Sequence, residues 1–294
     1  ADDEAPQRPR PENDYEYTIS GSKATITRYV GPGGYVDIPE KLDDATVVAI
    51  GESAFFNCQT IQSVSIPDCV REVGIGESVQ MGGYILLFRG SAFYGCKNLT
   101  SVRLPAYLNE IYNDTFNGCE KLCAIEIPET VTSIGSSAFS GCDLLGVRLP
   151  GRLTSIGSQA FRENSRIEKV VIPASVTSIG SWAFYSCTRL KEVSFDGAPP
   201  NCLAATFEGT SGTVGVYRSN YFSMWKDVIV DGQWCGLTME CPETFSVVFD
   251  LNGHGSRTGG GALSQTVRCG DAAIAPTVTP NAGYVFDGWD TDFS

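Results

Sequence analysis

The sequence predicts a β-rich solenoid of short parallel strands and short helical turns, followed by a small β module. Three observations carry that expectation. A phenylalanine recurs at 55, 93, 116, 139, 161 and 184, with spacings of 38, 23, 23, 22 and 23 residues. The proline of an "IP" or "LP" pair recurs at 67, 105, 128, 150 and 173 on the same period. Residues 244–294 lack the period and turn to glycine-rich, proline-bounded stretches. One 23-residue unit cannot bury its own apolar side, but stacked units bury each other's.

The elements follow in order. Residues 1–14, "ADDEAPQRPRPEND", are polar and proline-rich and are expected to be a disordered tail. Residues 15–240 are the solenoid, with an opening and a closing cap. Its unit reads L-x-x-V-x-I-P-x-x-V-T-S-I-G-x-x-A-F-x-x-C, as from Leu122 to Cys142. "LxxVxIP" is a short strand in which apolar and polar residues alternate, and proline ends it because it has no N–H. "VTSIG" is a second short extended piece. "SSAFSGC" has no β-branched run and is expected to make a helical turn. Strands ~4.8 Å apart make six units roughly 30 Å long. The 38-residue spacing holds an insertion, "IGESVQMGGYILLFR", 75–89, that reads as a hairpin: "ESVQ", a "MGG" turn, then "YILLF". Residues 241–294 read as strand, glycine-rich turn, strand, proline-bounded loop and aromatic strand.

The unit resembles the leucine-rich repeats of the BspA type over about residues 15–230. "YTISGSKATITRYVGPGGYVDIPEKLDDATVVAIGESAF" looks like the usual first unit, and "VSFDGAPPNCLAATFEGTSGTVGVYRSNYFSMWKDV" like the closing cap. Tyr107, Thr130 and Arg152 stand where ordinary leucine-rich repeats carry Asn or Cys, so their asparagine ladder is not expected. The last module is similar to the Listeria–Bacteroides repeat (internalin B-repeat-like), a small β-grasp-like unit, through "VVFDLNG", "CGDAAIAP" and "GYVFDGWDT". It departs at His254, where a second glycine is usual. It also stops at Ser294, short of that family's final strand, so a truncated module or a longer natural protein is expected. The resemblance implies a secreted or cell-surface bacterial protein, its signal peptide removed. It also implies adhesion to host proteins, glycans or other cells without turnover.

Chemistry is sparse in the sequence. Cys58, Cys96, Cys119, Cys142 and Cys187 follow Phe55, Phe93, Phe116, Phe139 and Phe184 by three residues, and Asn164 fills the slot after Phe161. Metal ligands or redox thiols are one reading. Filling of a stacked interior is the better one, because Cβ atoms ~4.8 Å apart exceed the ~3.8 Å a disulfide prefers, and a line cannot surround a tetrahedral metal. Cys235 and Cys241 flank the module junction, either as a disulfide or as two thiols. His254 is the one histidine, in "NGHGSRTGGG", and reads as a turn residue. No catalytic, cofactor or metal residues are expected. A thiol-dependent enzyme is the weakest alternative reading.

Binding surfaces are the better place for function. The insertion offers Met81, Tyr84, Leu86 and Phe88. The outward strand positions offer Arg103, Glu126, Arg148 and Lys169, the first three alternating in charge as if paired across strands. The net charge of −13 argues against nucleic acid and anionic membranes, and no apolar run is long enough to span a bilayer. A protein or glycan partner is the expectation, and a structural stalk or spacer is the alternative.

Overall fold

The computed structural model describes residues 11–81, 84–202, 205–210, 212–241, 244–249, 251, 255–268 and 273–282, without the side chains of 11–12, 77–88, 219, 222, 244–248 and 268. Residues 1–10 of the expected tail, His254, Cys269 and the "GYVFDGW" stretch lie outside this set. Residues 11–14 form one 3-10 turn.

The chain winds as a solenoid with three faces. The first is the leucine–valine strand. Parallel strands Gly34–Asp37, Ile61–Ser65, Ser101–Arg103 and Ala124–Ile125 pair in sequence, and Lys169–Ile172, Glu192–Phe195, Val214–Tyr217 and Leu237–Glu240 do so further on. Between these two sheets, residues 146–148 of the 22-residue unit form no strand, although the periodic pattern predicts one there. Gly146 sits in this stretch, and glycine weakens a strand interior. The second face is the "TSI" strand. Glu110–Ile111, Ser133–Ile134, Ser155–Ile156, Ser178–Ile179 and Asn201–Cys202 pair in parallel.

The third face carries the phenylalanines, and it is not helical. Each unit makes tight turns, with Tyr94 N–H donating to Ser91 O and Cys119 N–H to Phe116 O. The residue two before each phenylalanine is left-handed: Ser53, Ser91, Asp114, Ser137, Gln159, Trp182 and Ala205. So is the residue two after it: Asn57, Gly95, Gly118, Gly141, Glu163, Ser186 and Gly209. Two positive φ values per turn interrupt any right-handed helix. The face is tied instead by bonds between units, such as Phe116 N–H to Ala138 O and Phe139 N–H to Ala160 O, both 2.8 Å.

The core is a column of rings. Tyr29, Phe55, Phe93, Phe116, Phe139, Phe161, Phe184 and Phe207 stack at centroid distances of 4.7 to 5.5 Å. All seven phenylalanines are buried. Tyr15 covers Tyr29 at one end. At the other, Trp225 is fully buried among Phe195, Tyr217 and Trp234.

At the insertion, Glu72–Met81 and Tyr84–Arg89 pair antiparallel, with Met81 opposite Tyr84. Met81 is therefore strand rather than turn, and Gly82 and Gly83 lie outside the described residues. The strand Glu72–Met81 also pairs with Ala45–Gly51, up to Gly51 opposite Ile75. Past Ile75 the two strands pair only with each other among the described residues.

Beyond the solenoid, Thr244–Val248 pairs with Ser264–Arg268, and Gly255–Gly260 with Pro276–Pro280, both antiparallel. The segment 255–260 is thus a strand and not the glycine-rich turn its composition suggests. A register shift between Arg257 and Gly259 absorbs the glycines as a bulge.

Candidate functional site

The cysteines are the first candidates. Cys96, Cys119, Cys142 and Cys187 are buried, whereas Cys58 at the first unit is only partly so. Each buried thiol donates to the carbonyl of a phenylalanine one unit back. Cys96 bonds Phe55 O at 2.9 Å, and Cys119 bonds Phe93 O, Cys142 bonds Phe116 O and Cys187 bonds Phe161 O, each at 3.2 Å. Asn164 takes the same role with Nδ2 on Phe139 O at 2.7 Å, and its Oδ1 accepts from Leu144 N–H. The expected cysteine ladder thus runs along the phenylalanine turn, with Asn164 as one rung. It adds a second donor to carbonyls that in most units already accept the N–H of their own turn, as Phe116 O does from Cys119 N–H.

Burial also decides the reactivity of these thiols. It pushes the Cys187 thiol up to about 12 and raises Cys142 further. Cys119 is raised by its contact with Cys96 and then by burial. Such thiols stay protonated at neutral pH and are poor nucleophiles.

The charged strand positions do not form the alternating ladder their order suggested. Arg103 turns back to Asp68, at 3.0 Å, and to Ile66 O. Arg148 meets Glu129 at 3.0 Å. Glu126 is exposed and has no ion pair among the described residues. Lys169 does pair across strands, 2.6 Å from Glu192, and holds that carboxyl below its usual range. The break at 146–148 separates the two arrangements. The side chains of Met81, Tyr84, Leu86 and Phe88 lie outside the described residues.

The feature that sequence reasoning missed is a groove along the second face. It is an open, shallow hollow of about 430 Å³ over Ser133, Ser155, Ser178, Ser136, Ser158 and Asn113. Its chemistry comes from the "TSIGS" units. In each, Ile134, Ile156 or Ile179 points into the core. The threonine hydroxyl is used internally: Thr154 Oγ1 donates to Thr132 O at 2.9 Å and Thr177 Oγ1 to Thr154 O at 3.2 Å. The serine between them faces the groove, and no partner binds Ser133, Ser155 or Ser178 hydroxyls among the described residues. At the corner below, a Cβ on Gly157 would lie 2.5 Å from Ser136 N, and one on Gly180 2.4 Å from Ser158 N. Only glycine lets the units approach that closely, which is what aligns the serine rows.

The groove continues into a second hollow of about 310 Å³ lined by Arg89, Glu110 and Tyr112. Arg89 stands at the foot of the insertion ribbon. Its Nη1 donates to Tyr112 OH at 3.0 Å, and its guanidinium lies 5.1 Å from the Tyr112 ring centre. The two surfaces thus meet: the ribbon rises where the serine groove ends. The signal that finds the groove in a sequence is the serine one position before each buried isoleucine, repeated on the period.

No cluster of His, Cys, Asp and Glu suited to a metal ion occurs among the described residues. No helix there is long and apolar enough to cross a membrane.

Among known families, the profile described as "BspA type Leucine rich repeat region" fits residues 36–76 and 88–212, in six copies. The gap between the two stretches falls in the insertion ribbon. Among solved structures, a leucine-rich repeat protein of T. pallidum is similar at 27% identity, over 69% of this chain and 78% of that one, with a TM-score of 0.43. One from Bacteroides ovatus is similar at 20% identity over 70% and 71%, TM-score 0.44. A leucine rich cell surface protein from Faecalibacterium prausnitzii is similar at 18% identity over 78% and 93%, TM-score 0.30. Comparison with curated protein sequences finds no match.

Proposed function

Because the chain belongs to the BspA-type leucine-rich repeat family, we propose that it is an extracellular, surface-displayed binding protein that acts by contact and without turnover. The observation that carries this reading is the serine groove with Arg89, Glu110 and Tyr112 at its end. Rows of neutral hydroxyls each donate and accept, which suits a polyhydroxylated chain better than a charged one. At one end Arg89 and the Tyr112 hydroxyl it bonds add further hydrogen-bonding groups. A glycan therefore fits best, and binding to it underlies adhesion to host surfaces or other cells. In this reading residues 241–294 are a Listeria–Bacteroides-type module that helps present the solenoid.

The test is a screen of the intact chain against immobilised glycans and extracellular matrix proteins, repeated with the insertion 75–89 deleted and with Ser155→Trp filling the groove. Glycan binding that Ser155→Trp abolishes supports the reading. Binding to matrix protein alone, lost with the ribbon and indifferent to Ser155→Trp, replaces the glycan with a protein partner on the insertion. Absence of binding to either panel favours a spacer.

A further inference from the structure

The closing cap brings two cysteines together that lie far apart in the sequence. Cys202 ends the strand Asn201–Cys202, which adds to the last unit of the second face with Cys202 opposite Ile179. Cys235 sits in the two-residue turn joining Gln233–Trp234 to Leu237–Glu240, where Trp234 opposes Leu237. Both turn residues are left-handed, Cys235 at φ 47° and Gly236 at φ 86°, as a tight type I′ hairpin requires. Neither thiol can wander. The hairpin is clamped to the chain before Cys202 by the aromatic cluster: Trp234 lies 5.3 Å from Phe195, and Trp225 Nε1 donates to Gly197 O at 3.0 Å. Both cysteines pack partly buried against the core, and their side chains hydrogen-bond to each other.

From this geometry we infer that Cys202 and Cys235 are a cross-linking pair, which joins the last repeat to the closing hairpin as a disulfide when a disulfide-exchanging oxidant is supplied. Cys241 is not the partner: it lies beyond Glu240, at the far end of the strand from the turn that holds Cys235. The reaction balances with a small-molecule disulfide, RSSR. Cys235 is the attacking group, because it sits in the turn beside exposed Gly236, where a small molecule can reach it. The Cys235 thiolate attacks one sulfur of RSSR and expels RS⁻, leaving a mixed disulfide. Cys202 then gives up its proton, attacks the Cys235 sulfur and expels the second RS⁻. Two thiols lose two protons and two electrons, and RSSR becomes two RSH. The bond closes a loop of about thirty residues, so oxidation raises the melting temperature by roughly 10 °C on the chain-entropy account. None of this depends on the proposed ligand or on where the protein resides.

The test is peptide mapping. The intact chain is incubated with oxidised glutathione, quenched in acid, alkylated under denaturing conditions and digested without reductant. The expected result is one cross-linked peptide joining Cys202 to Cys235, with the ladder cysteines alkylated. In Cys202→Ser, Cys235 is expected to stop at the glutathione mixed disulfide. The inference is overturned if Cys235 is found linked to Cys241, or if both Cys202 and Cys235 remain alkylatable while glutathione exchange proceeds on a control dithiol. A reversible rise in melting temperature, removed by reductant and absent from Cys235→Ser, supports it further.

Discussion

At the scale of single residues, the phenylalanine and the residue three later do different work. The Phe139 ring is fully buried between those of Phe116 and Phe161, so Phe139→Ala is expected to cost about 3–5 kcal/mol, read from urea unfolding. The cysteine donates to a carbonyl. For Cys119, Cys142 and Cys187 the folded-state ionisation is raised, so the native chain keeps protons that the unfolded chain releases above pH ~9, and stability falls with rising pH. For Cys187 that loss runs from the ordinary thiol value to about 12, at about 1.4 kcal/mol per pH unit. Cys187→Ala should flatten the slope of unfolding free energy between pH 9 and 11 by that amount, and unchanged slopes would show the thiol ionising freely. The left-handed slot two after the phenylalanine gives a third prediction. Glycine or asparagine fills it in most units, but Glu163 fills it at φ 62°. Glu163→Gly relieves that backbone and should stabilise by up to about 1 kcal/mol, net of glycine's entropy and the lost contact with Arg162. The glycines of this slot were visible in the sequence. The matching slot two before the ring was not, because Ser, Asp, Gln and Trp share no property that announces a positive φ.

At the scale of elements, the strand faces show how far a repeat can be read. Alternation located the short strands of the units except at 146–148, where the expected first strand does not form, and the register of Ile134, Ile156 and Ile179 followed from it. What the period could not show was how the two faces differ outward. The charged face folds its arginines back onto Asp68 and Glu129, because side chains that long reach acceptors outside their own row. The serine face has no such reach and leaves its hydroxyls open. Close approach at the glycine corner keeps those rows in line. Gly157→Ala must push one unit off its neighbour, so a loss of about 1–3 kcal/mol is expected together with weakened groove binding. A variant as stable as the parent would mean that the corner is looser than its 2.5 Å contact implies. The insertion was legible as a hairpin from "MGG" and its flanks. Its position beside the groove was not, since that depends on where Arg89 and Tyr112 meet in space.

At the scale of the whole molecule, a solenoid's stability is a sum over neighbouring units, and its ends are where it opens. The closing end depends on Trp225, fully buried between Phe195, Tyr217 and Trp234. Trp225→Ala is expected to cost about 3–5 kcal/mol and to expose the last units first. Amide exchange should therefore quicken around residues 192–217 before it does around the Phe93–Phe116 rungs. Uniform quickening along the chain would show the solenoid opening as one cooperative block. The period was enough to identify the solenoid, but the cap's thiol pair was not legible, because Cys202 and Cys235 meet only through the path of the chain around Trp225. The ladder cysteines Cys96, Cys119, Cys142 and Cys187 are interior, and binding is assigned to the groove. The affinity of the intact chain and of Ser155→Trp for the best-bound glycan of the screen, compared by calorimetry at matched stability, tests it most directly. A loss of tenfold or more in the variant is the predicted result, and equal affinities would contradict the account.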